Sequence, residues 1–340
     1  MQPIIFVGTQ RSGSNLLRLM LNAHTQIAAP HPPHILQSFA PLLNRYGGLS
    51  KKENFEQLAR DVCDFVSYNP VPWNLKLDAG ELAEKCPNQT LVSLFVHIYQ
   101  AYARQHGKSY WCCKSMANLY YIPEIEREMK PFYIHLVRDG RDVAASFKKA
   151  VVGEKHIYHL ATQWKQDQDT TEQYCQNYAS ERYIPVLYEN LIHDPENTLR
   201  ILLHRLGLEF EPGVVRYNYS DEAKKTAEAG KMWDNVKKPV MQNNSNKFIT
   251  QLSEEDILIF ESVAGSVLER HGYTPYFDSA RRKEGFTDEE LDVFSKQNEE
   301  LKINALKSFD PEGVEKRKAQ AKLVNEIKQR PVQIISSDTR

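Results

Sequence analysis

The sequence predicts an α/β protein: a parallel, doubly wound sheet flanked by helices, with a helical extension at the C-terminal end. Three observations carry that expectation. Short apolar runs at residues 3–7, 110–114, 132–137 and 182–188 alternate with segments of helical period, as strands joined by helical crossovers do. The first run passes straight into Gly8-Thr9-Gln10-Arg11-Ser12-Gly13-Ser14-Asn15 and then into an apolar-periodic helix. From residue 281 the texture changes. Residues 281–330 hold 12 Lys/Arg and 11 Asp/Glu, nearly half of that stretch, against 26% for the whole chain.

Each element has its own local reason. Pro3-Ile4-Ile5-Phe6-Val7 is a continuous apolar run, as expected of a strand covered on both faces. Leu16, Leu17, Leu19, Met20 and Ala23 make one broad apolar face on the first helix. Ala29-Pro30-His31-Pro32-Pro33-His34 is a stiff break, because proline fixes its own φ and pushes the preceding residue toward extended backbone. Residues 35–107 read as a helical insert, amphipathic over 54–65 and 90–105 and turn-rich at Ser67-Tyr68-Asn69-Pro70. Tyr110 to Lys114 is the second strand, and Ile122 to Met129 a short helix. Phe132 to Val137 is the third strand, followed by Arg138-Asp139-Gly140-Arg141-Asp142 and a helix from Val143. Arg182 to Tyr188 is the fourth. Asp194 and Pro195 cap and open a helix that stops at Leu206-Gly207. In the extension, Thr287 and Glu290 have capping-box spacing, and Asp310-Pro311 opens a second helix.

Composition narrows the function. With 340 residues and 41% hydrophobic content the chain can bury a core, which excludes disordered, collagenous and disulfide-scaffold classes. Lys+Arg total 43 and Asp+Glu 44, a net charge of -1, so no nucleic acid or anionic membrane is expected as a bulk electrostatic partner. A local positive pocket remains compatible with that balance. No apolar window of about 20 residues exists, so no membrane span is expected. The first strand leaves no room for a signal peptide. The five cysteines are an odd number, and Cys112 and Cys113 are adjacent, which fits neither a disulfide framework nor zinc spacing. A reduced, cytoplasmic protein without a metal is expected.

The first loop carries the chemistry. Gly8 and Gly13 have the spacing of a phosphate-binding P-loop, in which a strand, a glycine loop and a helix aim backbone N–H groups at an anion. Position 14 is Ser where a nucleotide triphosphatase would have Lys, and position 15 is Asn where it would have the Mg²⁺-binding hydroxyl. The cation lies earlier, at Arg11. A second phosphate site is suggested by Arg138, at the end of the third strand, with Ser146 two helical turns on. The bland alternative is a charged network of Arg138 with Asp142 and Arg141 with Asp139.

Two phosphate sites, a cationic loop and no Mg²⁺ ligand resemble the sulfotransferase family, which uses 3'-phosphoadenosine 5'-phosphosulfate (PAPS). Gly8-Thr9-Gln10-Arg11-Ser12-Gly13-Ser14-Asn15-Leu16-Leu17 is similar to its 5'-phosphosulfate loop. Leu136-Val137-Arg138-Asp139-Gly140-Arg141-Asp142-Val143-Ala144-Ala145-Ser146 is similar to its 3'-phosphate motif. Cys113-Lys114-Ser115 resembles a Lys-Thr/Asp-Pro step, with Met116 in place of Pro. Tyr188-Glu189-Asn190-Leu191, Asp194-Pro195-Glu196, Leu206-Gly207-Leu208 and Val236-Lys237-Lys238-Pro239-Val240 also fit, the last especially the protein-tyrosine branch. Arg in the loop, where the small-molecule branch has Lys, matches the tyrosyl-protein and several bacterial and carbohydrate branches. The match spans roughly residues 3–275.

The resemblance implies a P-loop-like fold, with a catalytic domain over 1–278, an acceptor-site insert over about 35–107 and a charged extension over 279–340. It implies sulfuryl transfer from PAPS to an acceptor hydroxyl without a metal. Arg11 and Lys114 would stabilise the leaving phosphate. Gln10, Arg11, Ser12, Gly13, Ser14, Asn15, Arg138, Ser146, Tyr188, Lys238 and Lys247 would bind the donor, with Trp233 to Lys238 closing over it. The tyrosyl-protein branch has a Glu base after the first helix. Here that segment holds only His31 and His34, either of which suits a base at neutral pH. His24, His97 and His135 read as structural. Phe39, Tyr46, Phe65, Tyr68, Trp73, Phe95 and Tyr99 suggest either an aromatic wall for a small apolar alcohol, such as a steroid or phenol, or the insert's own core. A carbohydrate or protein-tyrosine acceptor is the alternative. A P-loop kinase or ATPase, or a non-catalytic nucleotide-binding scaffold, is the more distant one. The charged helices would lie on the domain or join a homo-oligomer.

Overall fold

The computed structural model describes residues 1–228, 235–307 and 311–333. Five parallel strands, β1 (Gln2–Val7), β2 (Ile27–Ala28), β3 (Tyr110–Cys113), β4 (Phe132–Val137) and β5 (Tyr183–Leu187), form one sheet in the order β2-β3-β1-β4-β5. The register pairs Ile5 with Cys113 and Val7 with His135. The C-terminal end of central β1 is therefore flanked by Lys114, just past β3, and Arg138, just past β4. Open parallel sheets bind ligands at such a mouth.

Helices cover both faces. In chain order they are α1 (Ser14–Asn22), α2 (Ile35–Phe39), α3 (Lys52–Ser67), α4 (Ala79–Lys85), α5 (Leu91–Gln105), α6 (Ile122–Glu128), α7 (Gly140–Lys149), α8 (Ile157–Ala179), α9 (Tyr188–His193), α10 (Pro195–Arg205), α11 (Asp221–Glu228), α12 (Phe248–Gln251) and α13 (Glu254–Arg270). The extension adds α14 (Asp288–Leu306) and α15 (Pro311–Gln329). Successive strand residues face opposite ways. Ile5, Val7, Trp111, Cys113 and Tyr133 pack under the insert, while Ile4, Phe6, Cys112, Ile134 and Leu136 pack against α1 and α10. Each such fully buried side chain contributes roughly 1.5–3 kcal/mol by transfer from water. A third cluster joins α7, α8 and α13 around Trp164 and Phe260.

The observed elements depart from the sequence reading in several places, the short helices α11 and α12 among them. Two-residue β2 is too short for a sequence signal. Helix α8 received no assignment, because its buried side includes Asp167, Gln168 and Thr171 and so breaks the apolar stripe. Helix α13 was likewise unassigned. Tyr188, read as the end of a strand, opens α9 instead. The capping box at Thr287 and Glu290 is present, and Asp310 lies outside the described residues.

The aromatic wall is not found. Phe39, Tyr46, Phe65, Trp73, Phe95 and Tyr99 are buried in the insert's core, with ring pairs such as Trp73–Tyr99 at 4.9 Å and Phe95–Tyr99 at 5.0 Å. Tyr68 is exposed. Helical spacing brought these rings together, but against one another. No helix among the described residues is long and apolar enough to cross a membrane. The five cysteines are free and buried.

Candidate active site

The loop after β1 is shaped by three left-handed residues: Gly8 (φ 113°), Arg11 (φ 69°) and Gly13 (φ 88°). A Cβ on Gly13 would meet the Tyr188 ring at 2.4 Å, so both space and backbone require glycine there. Gly13 is also the N-cap of α1 and offers no side-chain cap. The first N–H groups of α1 therefore have no capping side chain and face the loop, as an anion site needs. Ser12 Oγ and Asn15 Oδ1 are buried with no hydrogen-bond partner among the described residues. Such orphaned groups are costly unless a ligand or water serves them.

The two sequence motifs meet here. Arg11 Nε donates to Ser146 Oγ at 3.1 Å, and Arg138 Nη1 donates to the Arg11 carbonyl at 3.1 Å. Arg138 also donates to Asn244 O at 2.9 Å and Asp142 Oδ2 at 3.4 Å, and lies over the Tyr188 ring at 4.6 Å. Its Nε is buried without a partner. Asp142 Oδ1 accepts from the Phe248 N–H at 2.9 Å, which draws Lys247 to the same mouth. Burial and the nearby Arg138 charge lower the pKa of Arg11. Both pairs of the charged-network alternative are present: Arg138 with Asp142 at 3.4 Å, and buried Arg141 with Asp139 at 2.7 Å; Arg141 also bridges Glu261 at 2.6 Å. A second buried network braces the loop from behind. Gln168 Nε2 donates to Thr9 Oγ1 at 3.0 Å, and His135 lies 2.7 Å from both Gln168 Oε1 and the Tyr183 hydroxyl.

These groups open onto a cavity of about 890 Å³. It is lined by Gln10, Arg11, Gly13, Ser14, Asn15, Lys114, Arg138, Ser146, Tyr188 and Lys247 of the expected residues, and by His34. Lys114 is buried, and desolvation, with the Arg18 and Arg11 charges, pushes its pKa down to about 7. A bound anion would restore its charge. His34, at φ 62°, lies with Nδ1 3.0 Å from Ser115 Oγ. Burial, then the Lys114 and Arg317 charges, push it down to about 3, so the ring is neutral in the free protein.

The expected residues do not all converge. His31 is buried off the cavity, and its carbonyl accepts from Trp73 Nε1 at 2.7 Å and Asn69 Nδ2 at 3.0 Å. Lys238 is exposed and absent from the lining, where neighbours Val236 and Pro239 stand instead; its carbonyl accepts from the Tyr217 hydroxyl at 2.8 Å. Trp233 lies outside the described residues. Ser12 is fully buried and is not part of the cavity lining. The sequence reading missed Asn244, Gln37, Tyr217 and Arg317. Of these, only Asn244 had a local signal, the polar turn Asn243-Asn244-Ser245-Asn246. Among the described residues no cluster of metal-ligating side chains exists.

A sequence model of the Sulfotransferase family matches residues 3–212. Protein-tyrosine sulfotransferase 1 of Danio rerio is 24% identical over 288 residues, covering 81% of this chain and 73% of the relative. Protein-tyrosine sulfotransferase A of Caenorhabditis elegans is 24% identical over 285 residues, covering 80% and 68%. The fold is similar to the sulfotransferase domain from the curacin biosynthetic pathway, with a TM-score of 0.54, 19% identity and coverage of 80% of this chain and 98% of that one. It is similar also to the sulfotransferase domain of a Synechococcus olefin synthase, with a TM-score of 0.51, 20% identity and coverage of 77% and 94%. With both phosphate motifs gathered at one sheet mouth and the family's pattern running through more than half of its length, this chain belongs to the sulfotransferase family and is an enzyme that forms sulfate esters.

Proposed function

We propose that the protein transfers the sulfuryl group of PAPS to a phenolic hydroxyl of the tyrosine type, releasing adenosine 3',5'-bisphosphate (PAP). The observation that carries the donor is the Arg11–Ser146–Arg138 knot, which joins a phosphosulfate-type loop to a 3'-phosphate-type motif. The similarity to protein-tyrosine sulfotransferases over some four-fifths of the chain supports the acceptor. The lack of aromatic rings from the insert in the cavity lining weighs against a steroid.

The chemistry is an in-line displacement at sulfur, in which positioning and electrostatics dominate. The acceptor oxygen forms a bond to sulfur as the bond from sulfur to the bridging phosphate oxygen breaks. His34 takes the hydroxyl proton. Arg11 and Lys114 face the charge that develops on the leaving phosphate, and the N–H groups of Ser12 to Asn15 cradle it. Arg138 and Ser146 hold the 3'-phosphate that ATP lacks.

Thermal shift tests the reading directly. PAP should raise the melting temperature well above ATP with Mg²⁺ at equal concentration. Equal or greater stabilisation by ATP–Mg²⁺ would return the loop to the kinase class.

A further inference from the structure

We infer that helix α14 is a clamp on the wall of this cavity: Asn298 fixes the turn that follows α7, and through that turn the fit of the donor around its 3'-phosphate. Asn298 is a positioning residue, since it is not part of the cavity lining. The inference rests on the sulfuryl-transfer reading above. It lies outside the matched family segment, which ends at residue 212.

Helix α14 is charged and largely exposed, and Asn298 is its buried residue. The helix is therefore seated by a carboxamide and a few rings rather than by an apolar stripe. Asn298 Oδ1 accepts from the N–H groups of Lys155 at 2.8 Å and His156 at 3.0 Å. Its Nδ2 donates to the Glu154 carboxylate, which also lies 3.7 Å from Lys302 Nζ. The Phe294 ring stacks on His156 at 4.5 Å, and Phe286 and Phe294 each meet Tyr158 at 5.5 Å. These contacts fall on residues 154–158, between the end of α7 and the first turn of α8. The amide is fully used: its oxygen serves two donors and its nitrogen one acceptor, which no acid or hydrocarbon of that size reproduces.

The same stretch shapes the cavity. Ser146 and Lys149 share one face of α7, and with Ala150, Val151 and Val152 they line the wall. Buried Lys155 turns back toward the helix, and its Nζ donates to Phe147 O at 3.0 Å and Val152 O at 2.7 Å. Gly153 (φ 79°) sits against the Phe147 ring, which a Cβ would meet at 2.7 Å. The turn is thus held from inside by the Lys155 ammonium and from outside by Asn298, which holds the backbone of the same lysine. Without the carboxamide two backbone N–H groups lose their acceptor, and the side chain that ties down Val152 loses its anchor. Ser146 is bonded to Arg11 Nε, so this wall adjoins the place expected for the 3'-phosphate.

The test uses the full chain. Wild type, N298A, N298D and N298D/E154Q are compared for PAP affinity by calorimetry, for melting temperature, and for the KM of PAPS and of N-acetyltyrosine amide. N298A should weaken PAP binding and raise the PAPS KM by about tenfold, the worth of one or two hydrogen bonds, with the acceptor KM at saturating donor unchanged. N298D keeps an oxygen for the two N–H groups but sets a carboxylate against Glu154, and should bind PAP as poorly. N298D/E154Q removes that repulsion and returns a donor to the pair, so it should recover most of the affinity. An unchanged PAP affinity in N298A, even with a lowered melting temperature, would make Asn298 merely structural and overturn the inference. A double variant no better than an impaired N298D would overturn it too. A wild-type chain that binds PAP no better than ATP with Mg²⁺ removes the functional reading and the clamp with it. That result is distinct from PAP binding in the wild type that N298A leaves untouched.

Discussion

At the loop end of the cavity, Arg11, Ser146 and Arg138 come from segments that each leave a core strand, and they are tied to one another at 3.1 Å. At the opposite end, His34, Gln37 and Arg317 come from a proline-rich turn, the helix it opens and the distant C-terminal helix. The first arrangement joins residues 127 and 135 positions apart, but the two segments follow adjacent strands of the sheet and each carries its own local motif. The second exists only when remote parts of the chain meet. The loop end is thus set by the sheet, and the His34 end by how the insert and the last helix pack on it.

The strongest way to break the contrast is to exchange the two histidines' roles. His34→Ala should lower turnover by about 10²–10⁴, the usual worth of a positioned base, while PAP affinity is retained. His31→Ala should instead lower the melting temperature and spare the turnover of the folded fraction, because it empties the space of a buried ring that does not line the cavity. Collapse of turnover in His31→Ala alone would reverse the base assignment.

A second experiment sharpens the loop end. Gly13→Ala drives a methyl into the Tyr188 ring and should weaken PAP binding by more than tenfold, taking about 1.4 kcal/mol per tenfold. Gly107→Ala is the control. It shares the left-handed backbone (φ 63°) but has open space around it. It should cost about 1–2 kcal/mol of stability and leave PAP binding alone.

The smallest effect is a proton. Lys114, at about 7 in the free protein, is largely uncharged at pH 8, and an anion beside it favours the charged form. PAP binding at pH 8 should therefore take up close to one proton, read by calorimetry in buffers of different ionisation enthalpy. Lys114→Arg, which cannot titrate, should abolish the uptake. The stability sign follows from the same shift. The unfolded chain holds this proton up to its ordinary value of 10.5, and the folded one only to about 7, so Lys114 costs stability below 10.5, an effect fully present below 7. Uptake that persists in Lys114→Arg would assign the proton elsewhere.

Most of the sheet and the arginines and glycines of the loop end were legible, because their signals are local, whereas Asn244 was not. An apolar run, two glycines and an arginine suffice for β1, the loop and α1. Helix α8 was not legible, since its polar inward residues make sense only beside Thr9 and His135, which sequence spacing does not place there. The insert's aromatics showed burial but not against what. His31 and His34 could not be told apart because a left-handed backbone at His34, which no neighbouring residue type demands, decides which ring meets the cavity. Arg317 was hidden inside a charge run whose exposed members follow the same composition.

The ion pair between Asp61 and Arg330 joins positions 269 residues apart. During synthesis the phosphate loop, both arginines and His34 leave the ribosome long before α15 does. The wall of the cavity that holds Gly313 and Arg317 is therefore complete only once the last helix has docked on the insert.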